Sequence, residues 1–268
     1  MKVICFLFGA VLVLASQWGP AVAGTSLQLR CDFCSPPVQS LGTEGSFSRL
    51  LKARSCRPPQ QDTERPLSSD DAFKYTFENP RFYIPWIELD LSPEGVGSVR
   101  FKRGESDDTL DRSVKLLPST LTRIGELLAR TSFLTSDDDY QSKRDFAHLG
   151  WMTISVNQAG KQRTVRFNYT ERPDIAELAE IFRAITNQAI ALFDIDLSIQ
   201  HQPLDLPRLI ESLENELRLE RYAEPEQLIP TLRNIAQDDT LPLIARNHAT
   251  RLIASIQKGK FKSPVKAK

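Results

Sequence analysis

Hydrophobic and polar positions along this chain change period several times, and each change marks an element. Residues 3–15 (VICFLFGAVLVLA) are an unbroken apolar run, whereas residues 24–71 show few periodic apolar positions. Residues 82–91 (FYIPWIELDL) then alternate toward their end, with Ile87, Leu89 and Leu91 on one face. Ser92-Pro93-Glu94-Gly95 is a turn signal and residues 96–102 read as a second strand, which predicts a hairpin. Residues 117–134 place Leu121, Ile124, Leu127 and Leu128 at helical spacing, with Pro118 suited to a first turn. After an acidic loop, residues 149–156 and 163–169 predict a second hairpin around Asn157-Gln158-Ala159-Gly160. Residues 173–194 predict a long amphipathic helix with Ile175, Leu178, Ile181, Phe182 and Ile185 in its stripe.

The remaining pattern is helical. Asp205 is placed to cap a helix with Pro207 in its first turn and Leu206, Leu209, Ile210, Leu213 and Leu217 along one side. Residues 224–236 and 241–256 form a helical pair joined at Gln237-Asp238-Asp239-Thr240.

The two hairpin blocks share more than alternation. From Trp86, apolar residues stand at Leu89 and Leu91, a turn glycine at Gly95, then Ser98-Val99-Arg100-Phe101. From Trp151 the same offsets reach Ile154, Val156 and Gly160, followed one residue late by Thr164-Val165-Arg166-Phe167. A helix follows each block, which reads as a duplicated strand-strand-helix unit. The expected fold is α+β: one antiparallel sheet from two β-β-α units, both helices on one face, followed by an α-helical C-terminal segment.

Composition adds an address. Lys2, the apolar run and the small residues Ala21 and Ala23 match a secretory signal peptide over residues 1–23. The run is too short for a bilayer span, which takes about 20 residues. The expected organisation is a leader, a disordered Pro-rich linker over 24–72, a β-β-α domain over 73–200, a helical segment over 201–258 and a basic tail over 259–268. That tail, with its repeated lysines from Lys258 onward, reads as a frayed solvated end. The mature chain is expected to be secreted or periplasmic, without a transmembrane segment. Lys+Arg and Asp+Glu balance at 34 each, which gives nucleic acid no general attraction. Export makes Cys31, Cys34 and Cys56 candidate disulfide formers, Cys31 or Cys34 with Cys56, and the odd count leaves one thiol unpaired or reacting between chains.

Recognisable chemistry is missing. No nucleophile elbow, phosphate-binding glycine loop or haem-attachment motif occurs, so no catalytic residue, cofactor site or metal site is assigned. Asp137-Asp138-Asp139 with Asp145 fails the calcium-loop pattern, because Ser142 and His148 stand where Gly and Glu are needed. Asp107, Asp108 and Asp111 form a second acidic loop, and His148, His201 and His248 are scattered. Trp86 and Trp151 could stack a sugar or base, but as repeated aromatics they are expected to fill equivalent core positions. Asn168-Tyr169-Thr170 fits a glycosylation sequon.

Two resemblances follow from these residues. The order of leader, linker, paired hairpin-helix units and helical tail resembles uncharacterised exported bacterial proteins. In outline the paired units are similar to β-lactamase-inhibitor-like folds, which implies a sheet used for protein binding. Pro225, Asp239 and the 244–249 stretch (IARNHA) resemble one HEAT-type repeat. The expected role is non-enzymatic binding of an envelope or secreted protein through the sheet or the helical tail. The alternative is a hydrolase using dispersed carboxylates such as Glu88, Asp90 or Asp145.

Overall fold

The computed structural model describes residues 72–158 and 160–265, so the expected leader and linker and the candidate disulfide formers Cys31, Cys34 and Cys56 lie outside the described residues. The described chain is α+β. Its strands are β1 (Ala72–Glu78), β2 (Trp86–Leu91), β3 (Val96–Lys102), β4 (Leu110–Lys115), β5 (Trp151–Gln158) and β6 (Lys161–Phe167). They form one open sheet in the order β4-β3-β2-β1-β5-β6, every neighbouring pair antiparallel. The helices are α1 (Pro118–Arg130), α2 (Pro173–His201), α3 (Leu206–Arg218), α4 (Ile229–Gln237) and α5 (Leu243–Gln257).

Two strands add to the expected hairpins. β1 lies between β2 and β5, and its alternating Phe73, Tyr75 and Phe77 pair with Leu91, Leu89 and Ile87 on one side. On the other side the same three residues face Val156, Ile154 and Met152. The matched offsets of the two hairpin blocks thus fall opposite the same β1 residues. β4 replaces part of the expected second acidic loop: Asp111 is a strand residue opposite Arg100. β2 starts at Trp86 rather than at position 82, because Pro80 and Pro85 interrupt the backbone pairing that a strand needs.

The two tryptophans do not fill core positions. Trp86 and Trp151 are both cross-strand neighbours of Glu78, half-buried on the face opposite Leu89 and Ile154. Side chains alternate across a strand, so a phase that turns Ile87 and Leu89 inward turns Trp86 outward. Arg166 stacks over Trp151 at 4.9 Å and reaches Glu78 at 3.2 Å.

The inner face of the sheet packs with α1 and α2 into one hydrophobic cluster that includes Tyr75, Phe101, Ile154, Phe167 and Phe182. A second cluster gathers Ile195 with the inward faces of α3, α4 and α5. α2 serves both, because it continues to His201, beyond the expected end at residue 194. Arg103 and Arg112 of the sheet side hold Asp194 and Asp196 of this helix at 2.5 and 2.6 Å.

Local polar contacts fix the covering layer. Glu224 is buried. Its carboxylate accepts from the Leu117 N–H at 2.7 Å and from the Thr120 hydroxyl, at the N-terminus of α1. Its backbone exchanges two hydrogen bonds with the Gln188 amide of α2, at 2.8 and 2.9 Å. Burial pushes the Glu224 carboxyl above its ordinary value, against these hydrogen bonds. Asp205 makes no side-chain cap on α3, since it already lies in a helical turn preceding it. The basic end is also anchored rather than frayed as far as residue 265: Ser263 donates to the Ala223 carbonyl, and Val265 packs into the first cluster.

Candidate functional site

One part of the first cluster is left unfilled. α2 lays a second stripe, Ala176, Ala179, Arg183 and Thr186, over the C-terminal end of β1 and its neighbours. Two alanines in that stripe leave room that leucines would occupy, and a cavity of about 910 Å³ opens there. This lies in the size range of ligand sites. Tyr75, Phe77, Ile87, Met152 and Phe167 of the sheet form its other wall.

Its mouth is apolar and exposed. Phe82, Tyr83, Leu149 and Tyr169 line it, and they are 49%, 72%, 45% and 42% exposed. These side chains come from separate segments that are cross-tied. The Asn79 amide donates to the His148 carbonyl at 3.1 Å, and the Gly104 N–H donates to the Tyr83 carbonyl at 2.7 Å. The Phe82 ring rests 5.9 Å from Phe77, and Tyr169 rests 4.7 Å from Phe146. Gly150 lets the chain turn between Leu149 and β5. Its φ is +88°, and a Cβ there would stand 2.8 Å from the Phe77 ring.

Asn168 secures the remaining side. Its amide accepts from Gln141 at 2.8 Å and donates to Asp145 at 2.7 Å, while its backbone N–H donates to the Gln141 side chain at 2.8 Å. The sequon asparagine is therefore buried and committed to structure.

The charged groups of the cavity are two arginines and one glutamate. Arg183 pairs with Glu180 at 2.5 Å and directs its other terminal nitrogen at the Met152 sulfur, 3.1 Å away. The Tyr75 hydroxyl is buried and has no hydrogen-bond partner. Burial pushes this phenol up to about 12, with Arg183 nearby acting in the opposite sense. Among the described residues the Arg81 guanidinium, also lining the cavity, makes no ion pair.

The candidate carboxylates lie elsewhere. Glu88 and Asp90 are on the outer sheet face, where Lys74 stands 2.7 Å from Glu88 and Arg100 bonds both, Asp90 at 2.7 Å. Asp145 belongs to the Asn168 network, so the three are not brought together. Asp138 is held by Arg172 at 2.7 Å, and no group of three potential metal ligands occurs among the described residues. His148 and His201 are exposed, whereas His248 meets Glu214 at 2.6 Å and holds that carboxyl below its ordinary value.

No family model matches the chain, and no curated protein sequence matches it. The cavity was invisible to motif reading because its lining comes from short pieces of eight elements and loops. The one usable signal was Phe82 and Tyr83, aromatic residues set between two prolines.

Proposed function

We propose that the protein is a non-enzymatic binding protein acting outside the cytoplasm, and that it receives an apolar segment of another protein in the cavity beneath α2. The rim carries this reading: four large apolar side chains stand in water around an apolar hollow. A small molecule in the hollow would leave that rim exposed, whereas a chain lying across the mouth covers rim and hollow together. An anchor in a pocket encircled by aromatic contacts is the usual anatomy of a binding hot spot. Export rests on the leader pattern of residues 1–23. The β-lactamase-inhibitor-like resemblance implies protein binding through the sheet, and this reading keeps the protein binding but moves the contact to the cavity mouth. No helix among the described residues is long and apolar enough to cross a membrane. A carboxylate hydrolase is the weaker reading, since among the described residues the only carboxylate lining the cavity, Glu180, is taken by Arg183.

The test is site-specific photo-crosslinking. A photoreactive residue replaces Tyr83 in one sample and Leu204, 85% exposed but away from the cavity lining, in another. A discrete adduct with an extracytoplasmic protein from position 83 alone is expected. Identical products from both positions would remove the rim as the binding surface.

A further inference from the structure

Building on the cavity as a protein-binding site, we infer that the group entering it is the carboxyl terminus of the partner chain, with an apolar last residue. The apolar walls take that residue's side chain, and its carboxylate meets the Tyr75 hydroxyl, the second terminal nitrogen of Arg183 and the exposed Arg81 guanidinium. Tyr75 is 1% exposed and its hydroxyl is unpartnered. One Arg183 nitrogen meets the Met152 thioether, a weak acceptor, and the guanidinium lies close enough to the Tyr75 hydroxyl to act on it, which leaves the phenol's own proton without an acceptor. Arg81 has no counter-ion among the described residues, and the single acid of the lining already pairs with Arg183.

Charge and shape select among possible anchors. Two arginines against one glutamate leave the lining with one excess positive charge. A purely hydrocarbon anchor would leave the buried phenol unsatisfied, a neutral acceptor would leave the excess positive charge unmatched, and an ammonium would meet net repulsion. An Asp or Glu side chain would bring the charge but too little hydrocarbon for a hollow of about 910 Å³. A fatty acid carries the same two chemistries. It does not cover the four-residue rim, which the residues preceding a peptide terminus would. Burial raises the Tyr75 pKa, so the phenol keeps its proton and stays a donor through neutral pH.

The experiment titrates the full chain with three probes. The first is a pool of random octapeptides ending in Phe, Leu or Ile as free acids. The second is the same pool as C-terminal amides, and the third is sodium laurate. The acid pool should bind at least tenfold more tightly than the amide pool. Tyr75→Phe and Arg81→Gln should each shrink that ratio severalfold. Tyr75→Phe should also melt no lower than the parent, because it deletes an unsatisfied buried group. Equal affinity for acid and amide, with sensitivity to Tyr83→Ser retained, would overturn the carboxylate inference and leave the protein-binding reading standing. Binding of laurate without either peptide pool would overturn both, as would no binding by any probe together with no adduct at position 83.

Discussion

The two faces of the sheet reverse the usual expectation. The outer face meets water, yet its named charges are closed on one another: Lys74 and Arg100 with Glu88 and Asp90, and Arg166 with Glu78. Ser155 and Thr164 share a hydrogen bond of 2.8 Å on the same face. The inner face is covered by helices and is the incomplete one, with a hollow, an orphan hydroxyl and an exposed aromatic margin. Exposure alone therefore separates the two faces less well than unmet chemistry does. Filling the hollow would have improved stability, and it was not filled, which is why we place the proposed binding site there.

Substitutions should separate the faces by size of effect. Phe182, stacked 5.7 Å from Tyr75, is fully buried on the covered side. Phe182→Ala should cost about 3–5 kcal/mol in urea unfolding. A smaller loss would mean that the cavity region already collapses without it. Glu224→Ala deletes the acceptor for Leu117 and Thr120 and should cost about 2–3 kcal/mol.

Glu224 also carries a pH signature. Burial raises its folded-state value, so its contribution is complete below the unfolded carboxyl range and is lost as pH rises through the raised value. Glu224→Gln should remove that component from the pH dependence of stability. An unchanged profile would show that Glu224 does not titrate in this way.

On the outer face, Glu88→Gln should cost about 1 kcal/mol, and less in high salt. A cost rivalling Phe182→Ala would erase the contrast. Smallest of all, Tyr83→Ser at the rim should stay within about 0.5 kcal/mol of the parent in unfolding. Its effect should fall on binding alone.

Much of the scaffold was legible in the sequence, for reasons that individual residues show. β3 has the expected bounds because a turn glycine and a charged end fence it on both sides. α1 and α2 announce themselves by stripes such as Ile124, Leu127 and Leu128. β1 was missed although Phe73, Tyr75 and Phe77 alternate, because it follows directly on a Pro-rich stretch that draws attention to disorder. β4 hid behind Arg112, an inward-facing charge opposite Val99 that is tolerable only because Asp196 of α2 waits for it. Such tertiary compensation has no local signal. The cavity was illegible for a related reason: small residues on α2 look like ordinary helix formers until the strands beneath them are known.

β1 also sets a timetable for folding. It borders β2 after a loop of a few residues, but its other edge waits for β5, with Phe73 meeting Val156. A chain made from its N-terminus therefore holds half of this strand unpaired until that later segment arrives. Such delayed long-range pairing slows folding and leaves a sticky edge exposed in the interval. The same strand that centres the finished sheet is then the point at which a half-made chain is most prone to aggregate.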